Sequence, residues 1–174
     1  MPTENEDNQR YTGLVLLSGE DAPGIASKLF SVLGPFSIRI LDIEQLVIRN
    51  RLILTVLIEL DPAHAEAIED DLNQCAIDLD VDIATSFGTY SMKSIDGKDG
   101  VIRISISADK FTPGLMADFT TNIFNIGANL EKIHRVASIP RLTLEFFVSG
   151  TDSSILEKLL RISQEKFSFE FNLN

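Results

Sequence analysis

The chain has 174 residues, with 15 Lys plus Arg against 26 Asp plus Glu and a formal net charge of −11. That balance argues against a nucleic-acid-binding face and against a polybasic membrane patch, since both lean on clustered Lys and Arg. Cys75 is the one cysteine, which excludes an intrachain disulfide and suits a reducing cytoplasm, and no apolar run approaches the roughly 20 residues of a membrane helix.

Residues 1–10 are acidic and polar and read as a disordered tail. Thr12–Ser18, rich in Leu and Val, reads as a strand. The loop Gly19-Glu20-Asp21-Ala22-Pro23-Gly24 follows. Ile25, Leu29, Phe30 and Leu33 then recur at helical spacing, and Gly34-Pro35 ends that helix. Ile38–Ile48 and Leu52–Glu59 read as a hairpin turning at Arg49-Asn50-Arg51. Asp61-Pro62 opens a second helix carrying Ala65, Ile68 and Leu72 on one face, and Leu79–Ala84 reads as a closing strand.

The order then repeats. Val101–Ser107 is a strand, Ala108–Gly114 a loop, and Leu115–Asn125 a helix ended by Gly127. Ala128–Val136 and Leu142–Ser149 form a hairpin, Ser153–Glu165 a helix and Phe167–Asn172 a strand. Pro23-Gly24 recurs as Pro113-Gly114 and Arg51-Leu52 as Arg141-Leu142, at one common spacing. Each half is therefore β-α-β-β-α-β, and the fold class is α+β: two tandem ferredoxin-like units, antiparallel sheets with helices on one face. The expected boundaries are 11–90 and 101–174, joined by a linker over 91–100. The acidic excess is confined to the first half: residues 1–97 hold 17 acids and 6 bases, residues 98–174 nine of each.

This fold hosts many activities, so function must come from a site. RNA-recognition domains of the same order need aromatics beside basic residues on the central strands; Leu52–Glu59 has no aromatic, and Phe146-Phe147 stands next to Glu145. Small acyl-phosphate hydrolases hold phosphate with an Arg in the first loop, whereas Gly19–Gly24 carries two acids and no Arg. Asp78-x-Asp80-x-Asp82 lacks the Gly and Glu of a calcium loop, because Ile83 and Thr89 stand there. It reads as an acidic helix exit. His64 and His134 have no second ligand at metal spacing, and Cys75 falls on the apolar side of its helix. No metal site, cofactor or catalytic constellation is expected.

The first loop is the exception. It joins a strand to a helix N-terminus, where free amides and a partial positive charge suit a carboxylate. Its acids suit an ammonium, and Gly19 and Gly24 let backbone approach a ligand. A free amino acid carries both charges, with Asp21 as the partner of its amine. The plainer alternative is that Asp21 caps the helix while Pro23-Gly24 forms its first turn.

Gly19–Gly24 with Leu29-Phe30-Ser31-Val32-Leu33, and above all Leu41-Asp42-Ile43-Glu44-Gln45-Leu46-Val47-Ile48-Arg49-Asn50-Arg51-Leu52, resemble the first ACT domain of actinobacterial-type phosphoserine phosphatases. The resemblance extends through the second repeat. It implies a regulatory and dimerisation module that binds a small amino acid, serine foremost, in a cytoplasmic homodimer. It implies that Gly19, Asp21 and Gly24 are ligand-loop residues. Gly127-Ala128-Asn129 resembles the Gly-x-Asn run whose Asn reaches a ligand across an interface, so Asn129 joins them as a candidate. Arg39 stands at the equivalent place in the first copy, and Ala108 replaces the loop's first Gly in the second. In that family two such domains precede a catalytic haloacid-dehalogenase domain, whose motifs these 174 residues lack. The expectation is a non-enzymatic module, either free-standing or the regulatory part of a longer phosphatase. The competing reading is an assembly module with a vestigial ligand site.

Overall fold

A computed structural model describes residues 9–91 and 100–174, and the chain divides into two compact units, 1–93 and 94–174. The first unit runs β1 (Gln9–Glu20), α1 (Ile25–Leu33), β2 (Arg39–Ile48), β3 (Arg51–Glu59), a short 3-10 turn (Pro62–His64), α2 (Ala65–Leu79) and β4 (Asp82–Ser91). Its strands form one antiparallel sheet in the order β2-β3-β1-β4. The second unit repeats this with β5 (Ile102–Ala108), α3 (Pro113–Asn125), β6 (Asn129–Ala137), β7 (Leu142–Ser149), α4 (Ser153–Gln164) and β8 (Glu170–Leu173), in the order β6-β7-β5-β8.

Alternation dictates which sheet face is covered, because successive strand residues point to opposite sides. On β3, Leu52, Leu54, Val56 and Ile58 are buried, and Leu17 of β1 lies beside Leu54 in register. Leu29 and Leu33 of α1, with Ile68 and Leu72 of α2, close over them in one cluster. The second core repeats the scheme: Ile104, Ile106, Phe146 and Val148 lie under Leu115 and Phe119 of α3 and Leu156 and Leu160 of α4. Burial of such side chains contributes about 1.5–3 kcal/mol each.

Several expected boundaries move. β1 starts at Gln9 and ends at Glu20, so Gln9 and Arg10 of the expected tail, and Gly19 and Glu20 of the expected loop, belong to the sheet. Residues 1–8 and 92–99, the rest of the tail and nearly all of the expected linker, lie outside the described residues. Leu79 ends α2, and the left-handed backbone of Asp80 (φ 53°) turns the chain before β4 begins at Asp82. β4 then runs past Ala84 to Ser91, because β1 offers it partners as far as Gln9. Ser86 and Gly88 carry no apolar signal for that extension. Phe167, Phe169 and Phe171 all pack on the second core, but only Phe171 is in a strand. The amides of Lys166 and Phe167 are held by the carbonyl of Ser163, so pairing with β5 starts later, at Glu170.

Candidate functional site

The loop that drew attention in the sequence is a turn from β1 into α1. Gly24 is the N-cap of α1, left-handed at φ 93°, a conformation an L side chain rarely adopts. It brings no side-chain acceptor, so the first amides of α1 have no side-chain cap. The carboxylate of Asp21, exposed to solvent, does not cap the helix either; its backbone amide donates to the carbonyl of Asn50 at 2.9 Å. Capping is therefore not the role of Asp21. The second copy is closed at the same place: Thr112 Oγ1 accepts from the amide of Leu115 at 3.2 Å and caps α3.

Gly19 has a packing reason of its own. A Cβ at that position would lie 2.6 Å from Cγ1 of Val81. Gly19 also lines a groove of about 520 Å³ with Ser18, Glu20, Asn50, Arg51, Asp80, Val81 and Asp82. Asp21 and Gly24 are not among its lining residues. Gly19, Asp21 and Gly24 thus sit on one segment at the end of β1. Asn129 belongs to the other unit, at the start of β6 after the left-handed Gly127 (φ 74°), opposite Ser149 of β7. It is exposed, and its side-chain amide has no partner among the described residues. Arg39, at the same register position in the first unit, is instead tied to Glu59.

Two further clusters were not visible along the chain. His134 has a carboxylate neighbour after all: Nε2 lies 3.4 Å from Glu145, and its ring stacks on Phe147 at 5.5 Å. The contact is cross-strand, between β6 and β7, so spacing along the sequence hides it. Asp118 of α3 accepts from Lys166 Nζ at 2.8 Å, from the fully buried Ser163 hydroxyl at 2.6 Å and from Asn122 at 3.1 Å. The Lys166 ammonium and then the Ser163 hydroxyl hold the Asp118 carboxyl below the usual aspartate range. This joins α3 to the end of α4 and is structural. Cys75 is buried, which pushes its thiol up and away from reactivity. Among the described residues no group of three or more His, Cys, Asp or Glu side chains is placed to hold a metal, and no helix is long and apolar enough to cross a membrane.

Comparison with known proteins bears on the fold and on the first unit's family. Residues 12–86 match the family model of the ACT domain. The chain is 29% identical over 155 residues to the phosphoserine phosphatase of Streptomyces coelicolor, covering 86% of this chain and 36% of the relative. It is 31% identical over 140 residues to phosphoserine phosphatase SerB2 of Mycobacterium tuberculosis, covering 78% of this chain and 33% of the relative. The chain therefore spans about a third of the length of these curated relatives. A crystal structure of an unknown protein from Galdieria sulphuraria shares the fold, with a TM-score of 0.70 at 16% identity over 95% of this chain and 98% of that one. The chain is thus a tandem of two ferredoxin-like units, the first of which matches the ACT-domain family over residues 12–86.

Proposed function

We propose that the chain is a regulatory module that binds a small amino acid at the turn between β1 and α1, as a cytoplasmic homodimer. The observation that carries this reading is the open N-terminus of α1: Gly24 caps it without a side chain, beside an Asp21 carboxylate with no structural duty. Free helix amides suit a ligand carboxylate, and Asp21 suits its ammonium. The capped α3 and Ala108 make the first copy the binding copy. Gly24 lets the ligand approach the backbone, and Asn129 stays a candidate ligand residue through its place in the Gly-x-Asn run. Serine is the ligand of choice, because hydrolysis of phosphoserine, the substrate that the relatives' names specify, yields serine.

A second reading concerns extent. The chain covers a third of each relative, which favours its being the regulatory part of a longer phosphoserine phosphatase, with the chemistry in a separate catalytic domain. Product sensing would then be the purpose of the site.

Thermal-shift and calorimetric titration with the twenty amino acids tests the reading. Serine at a hundredfold excess over its dissociation constant should stabilise the protein by about 2.7 kcal/mol. Asp21→Ala should reduce that gain by the share that belongs to the turn while leaving the ligand-free melting midpoint in place. No stabilisation by any amino acid at millimolar concentration would overturn the proposal.

A further inference from the structure

The groove at the end of the first sheet has a closed counterpart in the second unit. Strand register makes the correspondence. Gly19 faces Leu52 as Ala108 faces Leu142, and Ser18 faces Asp82 as Ser107 faces Glu170. Glu20, Arg51 and Asp82 in the first unit therefore correspond to Asp109, Arg141 and Glu170 in the second. There the arginine is held by charge on two sides: Nη1 donates to Glu170 at 3.0 Å, and Nε lies 2.7 Å from Asp109 as an ion pair without hydrogen-bond alignment.

In the first unit the same three charges stay apart. Among the described residues the guanidinium of Arg51 has no ion pair and no hydrogen bond, and the carboxylates of Asp80 and Asp82 have no partner. The reason lies one residue before the arginine. Asn50 donates its amide to Glu20 at 2.9 Å and diverts it from Arg51. The second unit has Pro140 before its arginine, which has no such donor, so Asp109 is free to take Arg141.

We propose that this open groove is a second recognition site of the first unit, for the zwitterion of a free amino acid. Its carboxylate pairs with the Arg51 guanidinium in the fork geometry that arginine offers, and its ammonium lies against Asp80 and Asp82. The lining selects the class. A plain anion meets three carboxylates, a plain cation meets Arg51, and a molecule with both charges satisfies both. Bound ligand then supplies to Arg51 the carboxylate that Asp109 and Glu170 supply to Arg141. The ligand class rests on the amino-acid reading above, but the site does not depend on the Asp21 turn.

Nitrogen-15 NMR of the whole chain, titrated with L-serine, glycine, ethanolamine and lactate, tests it. Serine or glycine should shift the Arg51 Nε–H signal and the Asp80 and Asp82 amides saturably, in wild type and in Asp21→Ala alike. Ethanolamine and lactate, each carrying one of the two charges, should bind at least tenfold more weakly. Arg51→Gln should remove the response, and Asp82→Asn should weaken it, with the ligand-free melting midpoint unchanged. Amino-acid binding that survives Arg51→Gln and is lost in Asp21→Ala would overturn this site and leave the turn standing. The converse pattern would support the groove and overturn the turn. An Arg51 signal in wild type that no amino acid moves, or that lactate moves as well as serine does, would overturn the proposal even where a variant fails to fold.

Discussion

Gly19 shows how one residue serves two purposes. Read along the chain, it is a ligand-loop glycine that gives a small molecule room. In the structure it lies inside β1, and the room is taken by Val81. A methyl group there must displace Val81, whose Cβ and Cα are also close, at 3.0 and 3.4 Å. Gly19→Ala should therefore cost about 1–3 kcal/mol in urea unfolding, as overpacking does. Val81→Ala in the same chain should return part of that loss. Asp21 is the opposite case. Among the described residues its side chain makes no hydrogen bond or ion pair, so its substitution should be silent until a ligand is present.

At the level of elements, the two repeats have taken different routes with the same parts. α1 begins without a side-chain cap and α3 begins capped by Thr112; among the described residues Arg51 makes no ion pair, whereas Arg141 is held from two sides. In each comparison the second unit pairs its charge or caps its helix from within. The junction of α3 and α4 extends this pattern through Asp118, which leaves the buried Ser163 hydroxyl a partner. The Asp118 carboxyl titrates lower in the folded state than in the unfolded one. Its contribution is then complete above the unfolded pKa and is lost as pH falls through the folded one. The stability advantage of wild type over Asp118→Asn should shrink steadily on acidification below about pH 5, read by denaturant midpoints across pH. Asp118→Ala at neutral pH should cost about 1–3 kcal/mol, because it strands the Ser163 hydroxyl. An advantage that does not change with pH would contradict the assigned role of the carboxylate.

For the whole molecule, the central fact is two separate cores of the same design. Leu29, fully buried on the inner face of α1, belongs to the first alone. Leu29→Ala should destabilise that unit by about 2–5 kcal/mol. Hydrogen exchange should then speed up through β1 and β3 while β5 and β7 keep their protection; equal loss in both halves would show that the units unfold together. The charge asymmetry also resolves at this scale. Glu66, Glu69, Asp70, Asp71 and Asp78 of α2 are all exposed, with Asp80 and Asp82 exposed just beyond it. Most of these acids form a solvated helix surface that favours solubility. Asp80 and Asp82 are the ones that also reach the groove beside Arg51.

The sequence by itself determined the repeat, the β-α-β-β-α-β order and the positions of both cores. Those features are written in local periodicity, and Leu142–Ser149 is a strand with the very bounds that its alternation predicts. It also pointed to the turn after β1, because Pro23-Gly24 before an amphipathic helix is a local signature. What it did not contain is anything set by cross-strand register. That Glu145 meets His134, that Gly19 makes way for Val81, and that Arg141 is latched while Arg51 is not are all facts about residues between 11 and 62 positions apart. Only tertiary structure decided them, because a sheet brings side chains together according to strand order and pairing.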